Sequence, residues 1–181
     1  YLYDLDQFRS NMDRLREHLF PESGLFFSMK ANPLSAFSSI ACEKSCGVEI
    51  ASGGELELAL NSGVVPESIV FTGPGKTESE LQQAIDAQIY MIHVESLQEI
   101  RIINQLAEKK GRNVPIALRI NPNGIKSSGK VQMSGTASQF GVEETDLDDS
   151  LFEEINSLKN VNLTGVHIYM GTSILNAEEI C

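Results

Sequence analysis

Lys30 is the residue whose position most clearly suggests chemistry, because it directly follows an apolar run at residues 25–29. An ammonium group at the end of an apolar strand is costly unless it is paired or is kept neutral for use. A neutral lysine amine is a nucleophile, and its commonest use is a Schiff base with a carbonyl group of a substrate or cofactor. The alternative is a lysine that only extends its charge into solvent, and position alone does not decide between the two.

Other polar residues stand at or just after the ends of later apolar runs. Glu49 could pair with Lys30 from the neighbouring run, and Arg119 could contact an anion or serve only as a salt-bridge partner. The full set of strand-end candidates besides Lys30 is Glu49, Ser52, Thr72, Glu95, Arg119, Asn121, His167, Tyr169 and Thr172.

Short apolar runs that alternate with amphipathic segments must position these residues. The runs are apolar on both faces, which is typical of buried parallel strands, and their alternation with helical segments indicates successive βα units. A first helix is predicted over residues 5–19, where an apolar stripe recurs at spacings of three and four and indicates core. The predicted strands are residues 25–29, 48–50, 69–71, 90–94, 116–120 and 163–170.

Three predicted helices begin with a hydroxyl residue three positions before a glutamate, the pattern of a capping box. The hydroxyl residues are Ser52, Thr77 and Ser96. Each follows a predicted strand closely, so the turns from strand to helix are short.

Such units form either a (β/α)8 barrel of the TIM type or a doubly wound sheet. A dinucleotide-binding sheet would place Gly-x-Gly-x-x-Gly after its first strand, whereas this chain has Lys30-Ala31-Asn32-Pro33 there. A barrel is therefore favoured. Because a barrel closes with eight strands, the six predicted here would form only part of one.

Composition limits the classes of function. The chain has 181 residues, enough for one domain, and its net charge of −11 excludes nucleic-acid binding in the absence of a basic patch. It has no run long enough to span a membrane and no secretory signal pattern. Its three cysteines are an odd number, which agrees with a reducing compartment, so a cytoplasmic location is expected.

Some features have ordinary interpretations. The acidic segment 143–154 indicates a solvated helix face, with docking of a basic partner as the alternative. Lys76 ends a fragment that resembles a phosphate-binding loop, but the first glycine of that motif is Val70, so a turn is expected. Cys42 and Cys46 share a helix face without further metal ligands at suitable spacing, so buried thiols are expected and no metal site is predicted.

The motifs, taken in order, resemble the fold type III pyridoxal-phosphate decarboxylases, the group that contains diaminopimelate and ornithine decarboxylases. The resemblance extends almost from end to end. The segments that carry it are Ser28-Met29-Lys30-Ala31-Asn32-Pro33, residues 48–56, Gly73-Pro74-Gly75-Lys76, Val94-Glu95-Ser96, Arg119-Ile120-Asn121-Pro122, Gln139-Phe140-Gly141 and residues 165–172.

The resemblance implies that Lys30 forms the internal aldimine with pyridoxal 5′-phosphate. It also implies that Glu49 lies near Lys30, that Arg119 lies by the cofactor ring, and that Tyr169 covers the ring face with Thr172 beside it. Glu49 and Tyr169 replace the usual Asp and His. With these two residues, the sequence resembles the branch that includes the decarboxylase of carrier-protein-tethered glutamate in butirosin biosynthesis more than it resembles the enzymes that act on free diaminopimelate.

By the same resemblance, the later glycine-rich phosphate loop and the C-terminal β-domain have no counterpart in the chain. The chain is therefore expected to be the N-terminal part of a longer, homodimeric enzyme and to be inactive alone. A decarboxylase of a free or carrier-bound amino acid is the favoured activity. An amino-acid racemase of the same fold type, or a non-catalytic cofactor-binding or decoy barrel, is the alternative.

Overall fold

The computed structural model describes residues 1–122, 140–169 and 171. The chain divides into two compact units, residues 1–72 with 79–91 and residues 73–78 with 92–181. The helices are α1 (Leu5–His18), α2 (Ser35–Glu43), α3 (Gly53–Asn61), α4 (Glu78–Ala87), α5 (Leu97–Lys110) and α6 (Asp149–Ser157). The strands are β1 (Phe26–Ser28), β2 (Gly47–Ile50), β3 (Ile69–Phe71), β4 (Met91–Val94), β5 (Val114–Asn121), β6 (Val142–Glu143) and β7 (Val161–Ile168).

The first unit is built on three parallel strands in the order β1-β2-β3. Their register places Phe27 beside Val48 and Val48 beside Ile69. Val48, Ile69 and Phe71 are completely buried. Burying an apolar side chain of this size contributes roughly 1.5–3 kcal/mol, which explains why these short apolar runs form strands.

Helix α1 begins where Asp4 accepts hydrogen bonds from the backbone of Asp6 and Gln7. Its Phe8 ring packs edge-on against Phe27 and Phe37, which joins the helix to the core of the first unit. The predicted apolar stripe is only partly core. Met12 is buried, whereas Leu15 and Leu19 at the same spacing are exposed.

The second unit is centred on β5, which pairs in parallel with β4, β6 and β7. Register places Ile92 beside Ile116 and Arg119 beside His167. Ile92 and Ile116 are completely buried, as is Ile100 of α5. The strands that carry polar residues at their carboxyl ends are therefore packed in an apolar core.

The capping motifs at Ser52 and Ser96 are confirmed. Each hydroxyl accepts a hydrogen bond from the backbone N–H of the glutamate three residues later, Glu55 or Glu99. Each glutamate carboxylate accepts from the backbone one residue before the cap, at Ala51 or Glu95, rather than from the cap itself. Helix α4 begins at Glu78, as the motif at Thr77 predicts.

Gly47 has no room for a side chain. A Cβ atom there would lie 2.3 Å from the Phe26 ring and 2.7 Å from the Ser68 carbonyl oxygen. Gly47→Ala is therefore expected to lower the free energy of unfolding by about 1–3 kcal/mol. Gly54→Ala is the matched control, because a Cβ atom on this helical glycine meets only the Ser52 hydroxyl at 3.9 Å. Urea unfolding should show the control stabilised by about 0.5–1 kcal/mol, and equal effects would contradict the packing account.

The prediction of a parallel α/β chain is confirmed, with two differences. The last strand is Val161–Ile168 rather than 163–170, and the two-residue strand β6 was not predicted. Between β5 and β6, residues 123–139 lie outside the described part of the chain. Within the part of the chain that the structure describes, no helix is long and apolar enough to cross a membrane.

Candidate active site

Lys30 lies just beyond β1, in a single 3-10 turn at Met29–Ala31, and its side chain is exposed. Met29 beside it is completely buried and anchors the turn. The side chain of Asn32 accepts a hydrogen bond from the Leu34 backbone at 3.2 Å, which bridges Pro33 and fixes the chain after the lysine. The expectation that burial by the apolar strand desolvates Lys30 is therefore wrong. Its amine is instead accessible at the end of a fixed backbone.

Glu49 is half-buried on β2, the neighbour of β1, and accepts a hydrogen bond from the Thr72 hydroxyl at 2.6 Å. Thr72 is itself buried and follows the end of β3. Across the sheet, Glu49 stands in register with Ser28. The Ser28 hydroxyl is buried and has no hydrogen-bond partner among the described residues. The first unit thus presents an accessible amine, an oriented carboxylate and an unsatisfied hydroxyl.

Arg119 near the end of β5 forms a buried ion pair with Glu95, which directly follows β4. The distance from Nη1 to Oε1 is 2.9 Å, and the two side chains are only 9% and 4% exposed. The second oxygen of Glu95 accepts a hydrogen bond from the Gly141 backbone at 3.1 Å. Gly141 has a φ of +74°, and a Cβ atom there would lie 2.8 Å from the Arg119 carbonyl oxygen. A glycine is therefore required where the chain passes Arg119.

Two aromatic rings complete the surroundings of Arg119. Its guanidinium carbon lies 4.7 Å from the ring centroid of Phe140 and 5.7 Å from that of Tyr169. Contacts of this kind stabilise a cation by about 0.5–2 kcal/mol. Tyr169 follows the last residue of β7, whereas His167 lies within the strand with its ring 4.6 Å from that of His93.

The acidic segment has a structural use. Glu143 in β6 accepts a hydrogen bond from the buried Asn121 amide at 2.8 Å. Asp148 caps α6 by accepting from the Leu151 backbone, and the hydrogen bond from the Ser150 hydroxyl lowers the pKa of the Asp148 carboxyl. Most other acids of the segment are exposed, as expected for a solvated face.

Cys42 and Cys46 are both thiols. Burial raises the pKa of the Cys46 thiol above its ordinary value, despite the nearby Arg16 guanidinium. Among the described residues, no group of His, Cys, Asp or Glu is arranged to hold a metal ion.

The structure places the predicted site residues in two groups. Lys30 and Glu49 belong to the first unit, and Arg119 and Tyr169 belong to the second. Thr172 lies outside the described residues. Sequence reasoning missed Phe140 as a contact of Arg119. It also took Lys76 only for part of a turn, although its side chain is 1% exposed and forms an ion pair with Glu99.

The sequence of the chain matches the family model of the pyridoxal-dependent decarboxylases, for their pyridoxal-binding domain, over residues 5–181. The chain belongs to the pyridoxal-dependent decarboxylase family. The resemblance drawn from the motifs is thereby confirmed.

Relatives in this decarboxylase family act on more than one kind of amino acid. The chain is 38% identical to the L-glutamyl-[BtrI acyl-carrier protein] decarboxylase of Niallia circulans, over 99% of the chain and 42% of that protein. It is 34% identical to the diaminopimelate decarboxylase of Aquifex aeolicus, over 97% of the chain and 42% of that protein. The chain thus spans less than half the length of these curated relatives.

Solved structures agree with the family assignment. The crystal structure of diaminopimelate decarboxylase from Helicobacter pylori, complexed with L-lysine, is similar with a TM-score of 0.89 and 29% identity. The match covers 98% of the chain and 45% of that structure. The fold is therefore that of the N-terminal, TIM-barrel-like domain of these decarboxylases.

The described residues of this family member fit pyridoxal phosphate. The accessible Lys30 amine suits an aldehyde, and the buried Ser28 hydroxyl has hydrogen-bonding capacity that the described residues leave unused. In the second unit, Arg119 supplies a cation and Tyr169 an aromatic face. Each of these groups, taken by itself, is chemically compatible with part of an aromatic, phosphorylated aldehyde.

Proposed function

We propose that this chain is the cofactor-binding N-terminal part of a longer decarboxylase that removes carbon dioxide from an amino acid with the help of pyridoxal phosphate. The observation that carries the proposal is Lys30, whose exposed amine follows the first strand of a domain that belongs to this family. When bound, pyridoxal phosphate supplies the ring that accepts the electrons left behind by departing carbon dioxide.

Lys30 is the residue whose amine would hold the cofactor covalently before the substrate amine binds. The turn at Met29–Ala31 holds the lysine backbone, so the side chain starts from a fixed position at the end of β1. Glu49, oriented by the Thr72 hydroxyl, supplies a carboxylate on the neighbouring strand that can hold a proton near the amine.

Arg119 is held in place before any ligand arrives. Glu95 fixes one of its nitrogens, while the Phe140 and Tyr169 rings cover its guanidinium. A preorganised cation stabilises negative charge without reorganising at the moment of reaction. We assign Arg119 to the cofactor ring or its substituents, with Tyr169 on the ring face and Thr172 as a further contact.

Substrate choice is between a free diamino acid and a carrier-tethered amino acid such as the glutamyl group. Both kinds of relative align along nearly the whole chain. The test is carbon dioxide release by the full-length natural protein loaded with pyridoxal phosphate. L-Glutamate tethered to an acyl-carrier protein and free meso-diaminopimelate are the substrates. Release from either supports the proposal, whereas inversion at the α-carbon without release would indicate a racemase, and neither would indicate a non-catalytic protein.

Tyr169, rather than His167, is expected to cover the cofactor ring, since Tyr169 lies beyond the end of β7 whereas His167 stands within it. An aromatic stacking contact is worth about 0.5–1.5 kcal/mol beyond area burial, so Tyr169→Ala should weaken cofactor binding several-fold. Tyr169→Phe keeps the ring and should leave binding nearly unchanged. The dissociation constant of pyridoxal phosphate, from absorbance titration of the full-length protein, is the measurement. Unchanged binding in Tyr169→Ala with a loss in His167→Ala would reverse the assignment.

In the relatives, this domain is less than half of the protein. We propose that the remainder of the natural protein completes the barrel and the site, and that a second subunit contributes to it. The mass of the natural polypeptide and its oligomeric state in solution test this directly. A monomer near the 19.9 kDa of this chain would contradict it.

A further inference from the structure

Lys76 is the most deeply buried charged side chain among the ion pairs of the described residues, with only 1% of its side chain exposed. Its ammonium donates hydrogen bonds to Glu99 Oε1 at 2.6 Å and to the Gly73 carbonyl oxygen. Removing an ammonium from water costs several kcal/mol unless such partners compensate. A buried ion pair often contributes little net stability, because the cost of desolvation offsets the attraction between the charges. The contacts of the Lys76–Glu99 pair therefore indicate whether it has another role.

Glu99 connects Lys76 to the end of β4. Its second carboxylate oxygen accepts a hydrogen bond from the Glu95 backbone at 2.8 Å. The Glu99 carboxylate therefore binds the Lys76 ammonium through one oxygen and the Glu95 backbone N–H through the other. The two hydrogen bonds fix the direction in which the chain leaves β4.

The Glu95 side chain continues the network. It binds Arg119 through Oε1 at 2.9 Å and the Gly141 backbone through Oε2 at 3.1 Å. Both oxygens are thus occupied, so a small rotation of the Glu95 backbone would move the carboxylate away from both partners. Among the described residues, this carboxylate is the ion-pair partner of the Arg119 guanidinium.

Capping of the helix does not require the lysine. Helix α3 has the same arrangement, in which Ser52 caps the helix and Glu55 accepts from the Ala51 backbone at 2.7 Å. Glu55 makes no ion pair in the described ranges, whereas Glu99 pairs with Lys76. Lys76 is therefore an additional partner found at α5 and not at α3. At α5, the residue before the cap is Glu95, which pairs with Arg119.

We propose that Lys76 is a positioning residue: through Glu99 it fixes the backbone of Glu95, and thereby the carboxylate that holds Arg119 in the cofactor site. The role toward the cofactor rests on the proposed function, but the effect on Glu95 does not. Lys76 itself touches neither substrate nor cofactor in this scheme.

The first test needs no cofactor. In the full-length natural protein without pyridoxal phosphate, hydrogen exchange resolved to single amides reports the hydrogen bonds of the Glu95 and Gly141 N–H groups. Lys76→Met is expected to raise the exchange rate at both amides about ten-fold, the scale of one lost hydrogen bond to a charged group. Unchanged rates at both positions would overturn the proposal.

Arg101→Met is the matched control. Arg101 lies on α5, as Glu99 does, and forms an ion pair with Glu154 whose side chains are 46% and 37% exposed. Among the described residues, this pair has no hydrogen bond to Glu95. Exchange at Glu95 and Gly141 should remain as in the parent protein. An equal increase in this control would overturn the proposal, because any lost ion pair of α5 would then have the same effect.

Glu99→Gln tests the same proposal if Lys76→Met does not fold. Glu99→Gln keeps a side-chain oxygen for the Glu95 N–H but removes the charge that orients it toward Lys76. It should also raise exchange at Gly141, and no change there would contradict the positioning role. Lys76→Arg retains the charge and should restore part of the protection.

The cofactor provides the second readout. With pyridoxal phosphate, Lys76→Met should weaken binding several-fold and shift the absorbance band of the bound cofactor, while Arg101→Met should do neither. Faster exchange without any change in affinity or spectrum would overturn the link to the cofactor site. If the parent protein binds no cofactor at all, the proposed function fails, and the exchange result still decides whether Lys76 positions Glu95.

Discussion

Lys30→Ala is expected to abolish covalent binding of pyridoxal phosphate to the full-length protein and to lower turnover by roughly a thousand-fold or more. The physical reason is that the Lys30 amine is accessible beyond β1 on a fixed turn, so its removal deletes the reacting group with little change in packing. The cofactor absorbance band should be lost, while the midpoint of urea unfolding of the cofactor-free protein should be nearly unchanged.

Lys44→Ala is the matched control for this substitution. Lys44 is another lysine of the first unit, and its ammonium forms a surface ion pair with Asp13 at 2.7 Å. Removing a surface pair costs about 0–1 kcal/mol, so cofactor binding and turnover should stay close to those of the parent. Retained covalent binding in Lys30→Ala would show that another amine holds the cofactor.

Arg119→Met is expected to lower the free energy of unfolding by about 3–5 kcal/mol, because it leaves the Glu95 carboxylate buried without its cation. Both side chains are more than nine-tenths buried, so water cannot replace the lost partner. The measurement is the urea unfolding curve of the cofactor-free protein. Cofactor binding should weaken as well, since the site loses its preorganised cation.

Two further variants separate charge from packing. The double variant Arg119→Met with Glu95→Leu contains no lone charge and should be more stable than Arg119→Met alone. Arg101→Met, which breaks an exposed pair with Glu154, should cost no more than about 1 kcal/mol. An Arg119→Met variant as stable as Arg101→Met would contradict the importance of the buried pair.

Much of the scaffold followed from local sequence. The runs at β2 and β3 are short, apolar and bounded by turn residues, and the caps at Ser52 and Ser96 are encoded by residues three positions apart. Such signals depend on neighbours along the chain. The two-residue strand β6 has no comparable signal, because it forms only where it pairs with the end of β5.

The candidate site was less predictable for the same reason. Thr72 with Glu49, and Lys76 with Glu99, are each separated by 23 residues and meet only after the strands and helices have packed. The exposure of Lys30 also could not be deduced from the apolar run before it, since the chain leaves β1 at Ser28 and turns before the lysine. The identity of the strand-end residues was predictable, but their partners were not.

The central claim is that Lys30 holds the cofactor. Borohydride reduction of the full-length protein loaded with pyridoxal phosphate converts the lysine-cofactor bond into a stable one, and peptide mapping by mass spectrometry then locates it. The account predicts the pyridoxyl group on Lys30. A pyridoxyl group on Lys76, Lys126 or Lys130 instead, with Lys30 unmodified, would contradict it.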